Sequence, residues 1–302
     1  MKKGVFFVAK WDEIIAQTRA LIQQEPVAIE EIKALMAREN LNNTYYFRQF
    51  KAQCMEIVSE LGITEEKKRL IVAAINHGIE VEYEKTHFVS EDEMLDWLEK
   101  LVYLGEFETV KNGSICADFA YAFFGLAWNG WKEKDILEIK KEDLLYEKSC
   151  VLYQGNEIPV SFRLMNILQL YADAEGVHRR AKKAHVFYRY PESIFLFRTT
   201  HAAALTPNGA RLMRRNMVTL AKAIDFAKRF EYEQISINGI MVTIYEWEKE
   251  TGISITPSRI RDAEIVESIF GEKRHVLPDL FTIVSKHYPT FRNWMNDKEK
   301  IE

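Results

Sequence analysis

The lysines and arginines of this 302-residue chain are unevenly placed. Between Gly176 and Phe230 stand Arg179, Arg180, Lys182, Lys183, Arg189, Arg198, Arg211, Arg214, Arg215, Lys222, Lys228 and Arg229, against only Glu192 and Asp225. That stretch has a net charge of +10; the whole chain has −4, which leaves −14 on the remainder. A basic third in an otherwise acidic chain makes a localised positive field, and the partner such a field selects is a polyanion. Cationic side chains bind nucleic acid chiefly by neutralising phosphates and releasing their counterions. Arg211, Arg214 and Arg215 lie at i, i+3 and i+4, so on a helix they share one face, which is predicted to meet a phosphate backbone or a groove. The densest segment, Gly176 to Lys183, reads as a loop or helix end lying along a backbone. Near the N-terminus, Arg48, Lys51, Lys67, Lys68 and Arg69 would complete a clamp around a duplex.

Other chemistry is poorly supported. Cys54, Cys116 and Cys150 are odd in number, widely spaced and free of any CxxC pair, so neither a disulfide framework nor a zinc site is expected. They read as small buried apolar side chains. Nothing points to a metal or a cofactor. Tyr45-Tyr46-Phe47 and Trp294 read as core aromatics rather than base-stacking platforms. No stretch reaches the ~20 apolar residues of a membrane span. The short apolar run in Met1–Lys10 is followed by Asp12 and Glu13 and lacks the pattern of a signal peptide. A cytoplasmic protein with no membrane partner is expected.

The elements that must carry these residues are mostly helical. Apolar spacing predicts helices over Trp11–Gln24, Ile29–Glu39, Tyr45–Leu61 and Glu65–His77, the last two closed by Gly62 and Gly78. Residues 79–88 read as an extended linker, which places a domain boundary near Phe88. Ser90 and Glu93 form a capping-box pattern that starts the next helix, Glu91–Gly105. Helices follow over Ala117–Trp128 and Lys132–Ile139. A hairpin spans Ser149–Val160 with a Gly155-Asn156 turn signal. A helix over Phe162–Ala174 and a short strand at Ser193–Phe197 come next. Thr206-Pro207 opens a helix to about Arg229, Ser236–Thr251 is closed by Gly252, and Thr256-Pro257 opens a helix to Phe270. Two domains are expected: a helical bundle over 1–88 and, over 89–302, a mainly α domain with a small hairpin or sheet.

This order resembles that of the tyrosine recombinases, or phage integrases. Two stretches carry the resemblance. The first runs Gly130-Trp131-Lys132-Glu133-Lys134-Asp135-Ile136-Leu137-Glu138-Ile139-Lys140-Lys141-Glu142-Asp143-Leu144. It is similar to the family's G-L-R-x-S-E-[IL]-x-x-L-x-x-x-D-[IL] signature and is followed by a hairpin, as in the family. The second is Asn238-Gly239-Ile240-Met241-Val242-Thr243 with Gly252 beyond it, similar to the H-x-L-R-H-T box. The resemblance implies a two-domain DNA-binding fold, a core-binding-like domain followed by a catalytic-like one. It also implies that Lys132 stands at the first catalytic arginine, Asn238 at the histidine and Met241 at the second arginine. Gly271-Glu272 matches the family's Gly-His pair, which puts Phe281 at the nucleophile; the nearest tyrosine is Tyr288.

These substitutions remove what strand cleavage needs. Charge that grows on phosphate oxygens is stabilised by fork-shaped guanidinium donors. Methionine donates nothing, lysine gives a point charge, and asparagine cannot exchange a proton near neutral pH. The expectation is therefore a sequence-specific binder of double-stranded DNA that does not cut. It is similar to the recombinase-like repressors that control lysogeny in SPβ-type prophages, with a regulatory protein or peptide left open as a further partner. Two other readings stay open. One is an active recombinase using Tyr288, with Lys132 and Arg259 or Arg261 in support. The other is a protein-interaction module built on the acidic first domain.

Overall fold

A computed structural model describes the backbone of residues 3–39, 41, 44–107, 117–181 and 184–300. The side chains of 3–10, 44–46, 48, 77–82, 105–107, 117–118, 178–181 and 184–185 lie outside that description. The chain is mainly helical with small antiparallel sheets, and it divides into two compact units, Met1–Lys85 and Thr86–Glu302.

The first unit comprises α1 (Lys3–Ile22), α2 (Ile29–Arg38), α3 (Thr44–Glu60) and α4 (Glu65–Thr86). Ile22, Ile32, Met36, Phe50, Ile57, Ile71 and Ile75 meet in its core. Gly62 ends α3 in the left-handed conformation, φ +58°, where a side chain would be strained. Two predictions are corrected. α1 begins at Lys3 rather than Trp11. α4 does not stop at Gly78 but runs to Thr86, so the predicted linker is helical. A lone glycine costs a helix only ~1 kcal/mol relative to alanine, and the Glu and Lys residues that follow are good helix formers.

The second unit begins where α4 ends. Phe88, placed at the boundary by sequence, is fully buried here against Phe230 and Trp128. The Ser90 hydroxyl accepts the Glu93 N–H, and the Glu93 carboxylate accepts the Val89 N–H, so the predicted cap starts α5 (Glu91–Phe107). α6 (Ala117–Trp128) is apolar on nearly every side and is packed by α5 and by two later helices, α8 (Phe162–Asp173) and α10 (Tyr232–Thr251). Two glycines allow the approach. A Cβ on Gly125 would meet Leu164 Cδ1 at 2.3 Å, and one on Gly239 would meet the Trp128 carbonyl oxygen at 1.9 Å.

Between α6 and α8 lie α7 (Glu133–Glu138) and a three-stranded antiparallel sheet of β1 (Leu144–Leu145), β2 (Cys150–Tyr153) and β3 (Asn156–Pro159). The register Val151↔Ile158 points two apolar residues at the core. The hairpin turns at Gln154-Gly155, φ 49° and 85°, one residue before the predicted Gly-Asn pair. Two positive φ values in succession suit the twist of paired strands, and Gly155 accepts the second without strain.

The segment after α8 departs most from expectation. Gly176 to Lys183 was predicted as a loop or helix end, but β4 (Gly176–Ala181) pairs with β5 (Ala184–Arg189) in a two-stranded ribbon. Val186, Phe187 and Tyr188 supply the β-branched and aromatic residues that favour strand. Ser193–Phe197 is not a strand. It makes one bridge, Lys140↔Phe195, while the Ser193 hydroxyl turns back to accept the Phe195 N–H.

α9 (Pro207–Ala223) stops short of Arg229, because Asp225 turns left-handed at φ 48°. α10 ends at Gly252, φ 72°. The predicted helix from Pro257 is broken. A 3-10 turn covers Arg259–Arg261, and the Asp262 carboxylate then caps a fresh start, α11 (Ala263–Phe270). A 3-10 stretch at Gly271–His275, α12 (Leu280–Lys286) and α13 (Tyr288–Glu299) complete the unit.

Candidate nucleic-acid interface

α9 forms for reasons local to its sequence. The Thr206 hydroxyl accepts the Gly209 N–H at 3.2 Å, and Pro207 follows in the first turn. Ala210, Met217 and Leu220 are its buried anchors. The opposite face exposes Asn208, Arg211, Arg215, Thr219 and Lys222, spaced so that they fall in one stripe along the helix. No acidic residue interrupts α9. The stripe can therefore present three cations and two hydrogen-bonding side chains to one groove or backbone.

Arg214 is not part of that surface. Its Nη2 reaches both oxygens of Glu133, at 2.9 and 3.0 Å, and its guanidinium lies 5.8 and 5.5 Å from the ring centroids of Phe123 and Tyr232. The i, i+3, i+4 rule put the three arginines together, but Arg214 sits at the edge of the stripe and is taken by α7. Asn208, Thr219 and Lys222 were missed as stripe members, although continuing the same helical spacing from Arg211 and Arg215 reaches all three.

The β4–β5 ribbon carries the densest basic sequence. Its register pairs Arg179 with Val186 and Arg180 with His185. The side chains of Arg179 and Arg180 and all of Lys182 and Lys183 lie outside the described residues. Val186, Phe187 and Arg189 are exposed. A two-stranded ribbon is one of the two elements that fit the major groove of DNA.

Two members of the basic block are consumed inside the fold. Arg198 is 2% exposed and donates to four carbonyl oxygens, those of Leu196, Tyr171, Ala172 and Ala174. Lys228 is 8% exposed, donates to the His87 carbonyl at 2.8 Å and sits 3.6 Å from Glu93. Nothing in their local sequence separates them from surface cations.

The cations proposed for the first unit are mostly engaged locally. Lys51 is half-buried and donates to Asn76 at 3.1 Å. Lys67 pairs with Glu25, and Lys68 pairs with Glu65 at 3.2 Å. Arg69 is exposed, and the side chain of Arg48 lies outside the described residues.

The positions that the resemblance would set against recombinase catalytic residues sit in different surroundings from one another. Lys132 is exposed at the start of α7. Asn238 and Met241 are both sealed at 0% exposure on α10. Asn238 is engaged entirely with backbone, its Oδ1 accepting the Phe88 N–H and its Nδ2 donating to the Phe88 carbonyl. Tyr288 is 1% exposed, and burial first, then the Glu248 carboxylate, pushes its hydroxyl far above the ordinary tyrosine range. Arg259 donates to the Ser254 carbonyl, and Arg261 lies over the ring of Phe281 at 3.9 Å.

Compared with protein-family models and with curated proteins, the chain matches none.

The remaining sequence expectations fall as follows. Cys54 is fully buried, and burial pushes its thiol up to about 12. Cys150 is only partly buried, with its thiol on the Lys148 carbonyl, and Cys116 lies outside the described residues. Phe47 is a core residue. Trp294 packs on His87 and Phe291. Among the described residues no cluster suits a metal ion, and no helix is long and apolar enough to cross a membrane.

Proposed function

We propose that this protein binds double-stranded DNA without cutting it, and that α9 is a principal contact. The observation that carries the reading is the acid-free helix whose exposed stripe presents Arg211, Arg215 and Lys222 together with Asn208 and Thr219. Three cations on one face can neutralise phosphates, and the amide and hydroxyl are groups that bond base edges or phosphate oxygens. The β4–β5 ribbon, with its run of basic residues, is a second contact.

Absence of cleavage is supported by the core positions of Asn238, Met241 and Tyr288. A nucleophilic tyrosine needs an accessible oxygen and a depressed or assisted proton loss. Tyr288 has a buried ring and a strongly raised hydroxyl. We further propose a regulatory role, repression of transcription in a temperate phage or related element; this step rests on the recombinase resemblance alone.

The test is retention of parent-genome fragments by the purified full chain at physiological salt, followed by sequencing. A few shared sites upstream of genes support the reading. No enrichment over competitor DNA overturns it. A covalent adduct on nicked DNA, lost in Tyr288→Phe, would overturn the non-cutting part.

A further inference from the structure

α10 has two working faces. Asn238, Met241 and Tyr245 turn into the core at i, i+3 and i+7. Thr243 and Glu246 point another way, into a cleft of about 480 Å³ within the second unit. That size is within the range of small-ligand sites, roughly 300–1,000 Å³. One wall is apolar, formed by Trp128, Ile240, Phe270 and Leu277.

The polar lining is unusual in its charge. Lys273 lines the cleft, is half-buried, and has no hydrogen-bond or ion-pair partner among the described residues. Glu91 and Glu246 also line it. Glu91 is held in place by Asn129, whose Nδ2 donates to it at 2.7 Å. Both carboxylates attract Lys273, yet neither closes an ion pair with it. Burial is the first cause that pushes Lys273 down and Glu246 up, while Glu246 stays exposed to solvent and open to an incoming cation.

A simple carboxylate would satisfy Lys273 but face two glutamates. A simple amine would satisfy the glutamates and add a second cation beside Lys273. A ligand that carries both charges close together relieves both sides. We propose that the cleft binds a small zwitterion with an apolar side chain, a free amino acid or a short peptide. Its carboxylate lies on Lys273, its ammonium on Glu246 and Glu91, and its side chain on Ile240, Phe270 and Leu277. The site does not rest on the DNA-binding reading.

The experiment is calorimetric titration of the full chain with L-leucine, L-phenylalanine and L-leucyl-L-leucine, beside leucine amide and 4-methylpentanoate. The two controls lack the carboxylate and the ammonium respectively. At least one zwitterion should bind saturably, and each control should bind about tenfold more weakly or worse, the worth of one charge-assisted hydrogen bond. Binding of the free amino acids but not the dipeptide assigns the first source; the reverse assigns the second. Lys273→Met and Glu246→Gln should each lose about the same factor while circular dichroism is unchanged. Failure of all three zwitterions, controls that bind equally well, or full affinity in a folded Lys273→Met chain would each overturn the proposal.

Discussion

Asn238 holds the backbone of Phe88 at both ends of its side-chain amide, accepting the Phe88 N–H at 2.6 Å and donating to the Phe88 carbonyl at 3.0 Å. The two residues are 150 positions apart, and both are fully buried. This pairing ties the segment that enters the second unit to the middle of α10. Both polar atoms of the Asn238 amide are spent on holding the fold.

Removing that amide should therefore be costly. Asn238→Ala leaves a buried N–H and a buried carbonyl unpaired, a loss of roughly 2–4 kcal/mol. A charge introduced one turn further along the helix should be worse. Met241→Arg places a guanidinium at a position with no exposure, and an uncompensated buried charge costs about 3–5 kcal/mol. Urea unfolding followed by circular dichroism reads both; a Met241→Arg chain as stable as the parent would contradict the core assignment.

The α9 stripe predicts a division among three neighbouring arginines. Arg211→Ala and Arg215→Ala should weaken DNA binding and lower the slope of log affinity against log salt by about one unit each. Arg214→Ala should leave the slope unchanged and instead lower stability by about 1–2 kcal/mol through loss of the Glu133 pair. Fluorescence anisotropy across a salt series separates the two behaviours.

Gly239→Ala tests the contact of α6 with α10. The new methyl would fall 1.9 Å from the Trp128 carbonyl oxygen, which is backbone and cannot rotate away. The helices must separate, and overpacking of this kind costs about 1–3 kcal/mol. The urea midpoint should drop accordingly, with the slope unchanged.

Lys273 gives a pH signature. Its folded pKa lies below its unfolded one, chiefly through burial, so the unfolded chain holds the proton more tightly. Stability then rises with pH as Lys273 loses its proton in the folded state before the unfolded state does. Lys273→Met should be more stable than the parent at neutral pH, and the difference should shrink as pH climbs through the ordinary lysine range. Paired urea titrations from neutral to alkaline pH check this.

The elements that were legible from sequence are those fixed by local chemistry. The Ser90–Glu93 box, the Thr206-Pro207 start and the glycine stops at 62 and 252 all act within one helical turn, and the structure places each as read. Helix α4 was misread because Gly78 looks like a stop, whereas only the residues beyond it decide whether the helix resumes. The β4–β5 ribbon was misread because its positive charge masked its strand-forming residues. Most of all, sequence cannot tell a surface cation from a buried one. Arg198, Arg214 and Lys228 look like Arg211 and Lys222 until carbonyl and carboxylate partners, most of them 24 or more positions away, are brought to them.

Arg198 also bears on how this surface could change. By gripping the end of α8 and the Leu196 carbonyl together, it pins the two points where the chain leaves for the β4–β5 ribbon and returns. The Tyr190 N–H to Glu175 carbonyl bond closes the same base at 2.8 Å. With its ends fixed, the ribbon is a closed excursion, and lengthening such a loop adds only about 0.6 kcal/mol per doubling. Residues 176–189 can therefore be shortened, extended or exchanged for another hairpin while the core stays folded, so the surface that the ribbon presents is free to diverge without renegotiating the rest of the second unit.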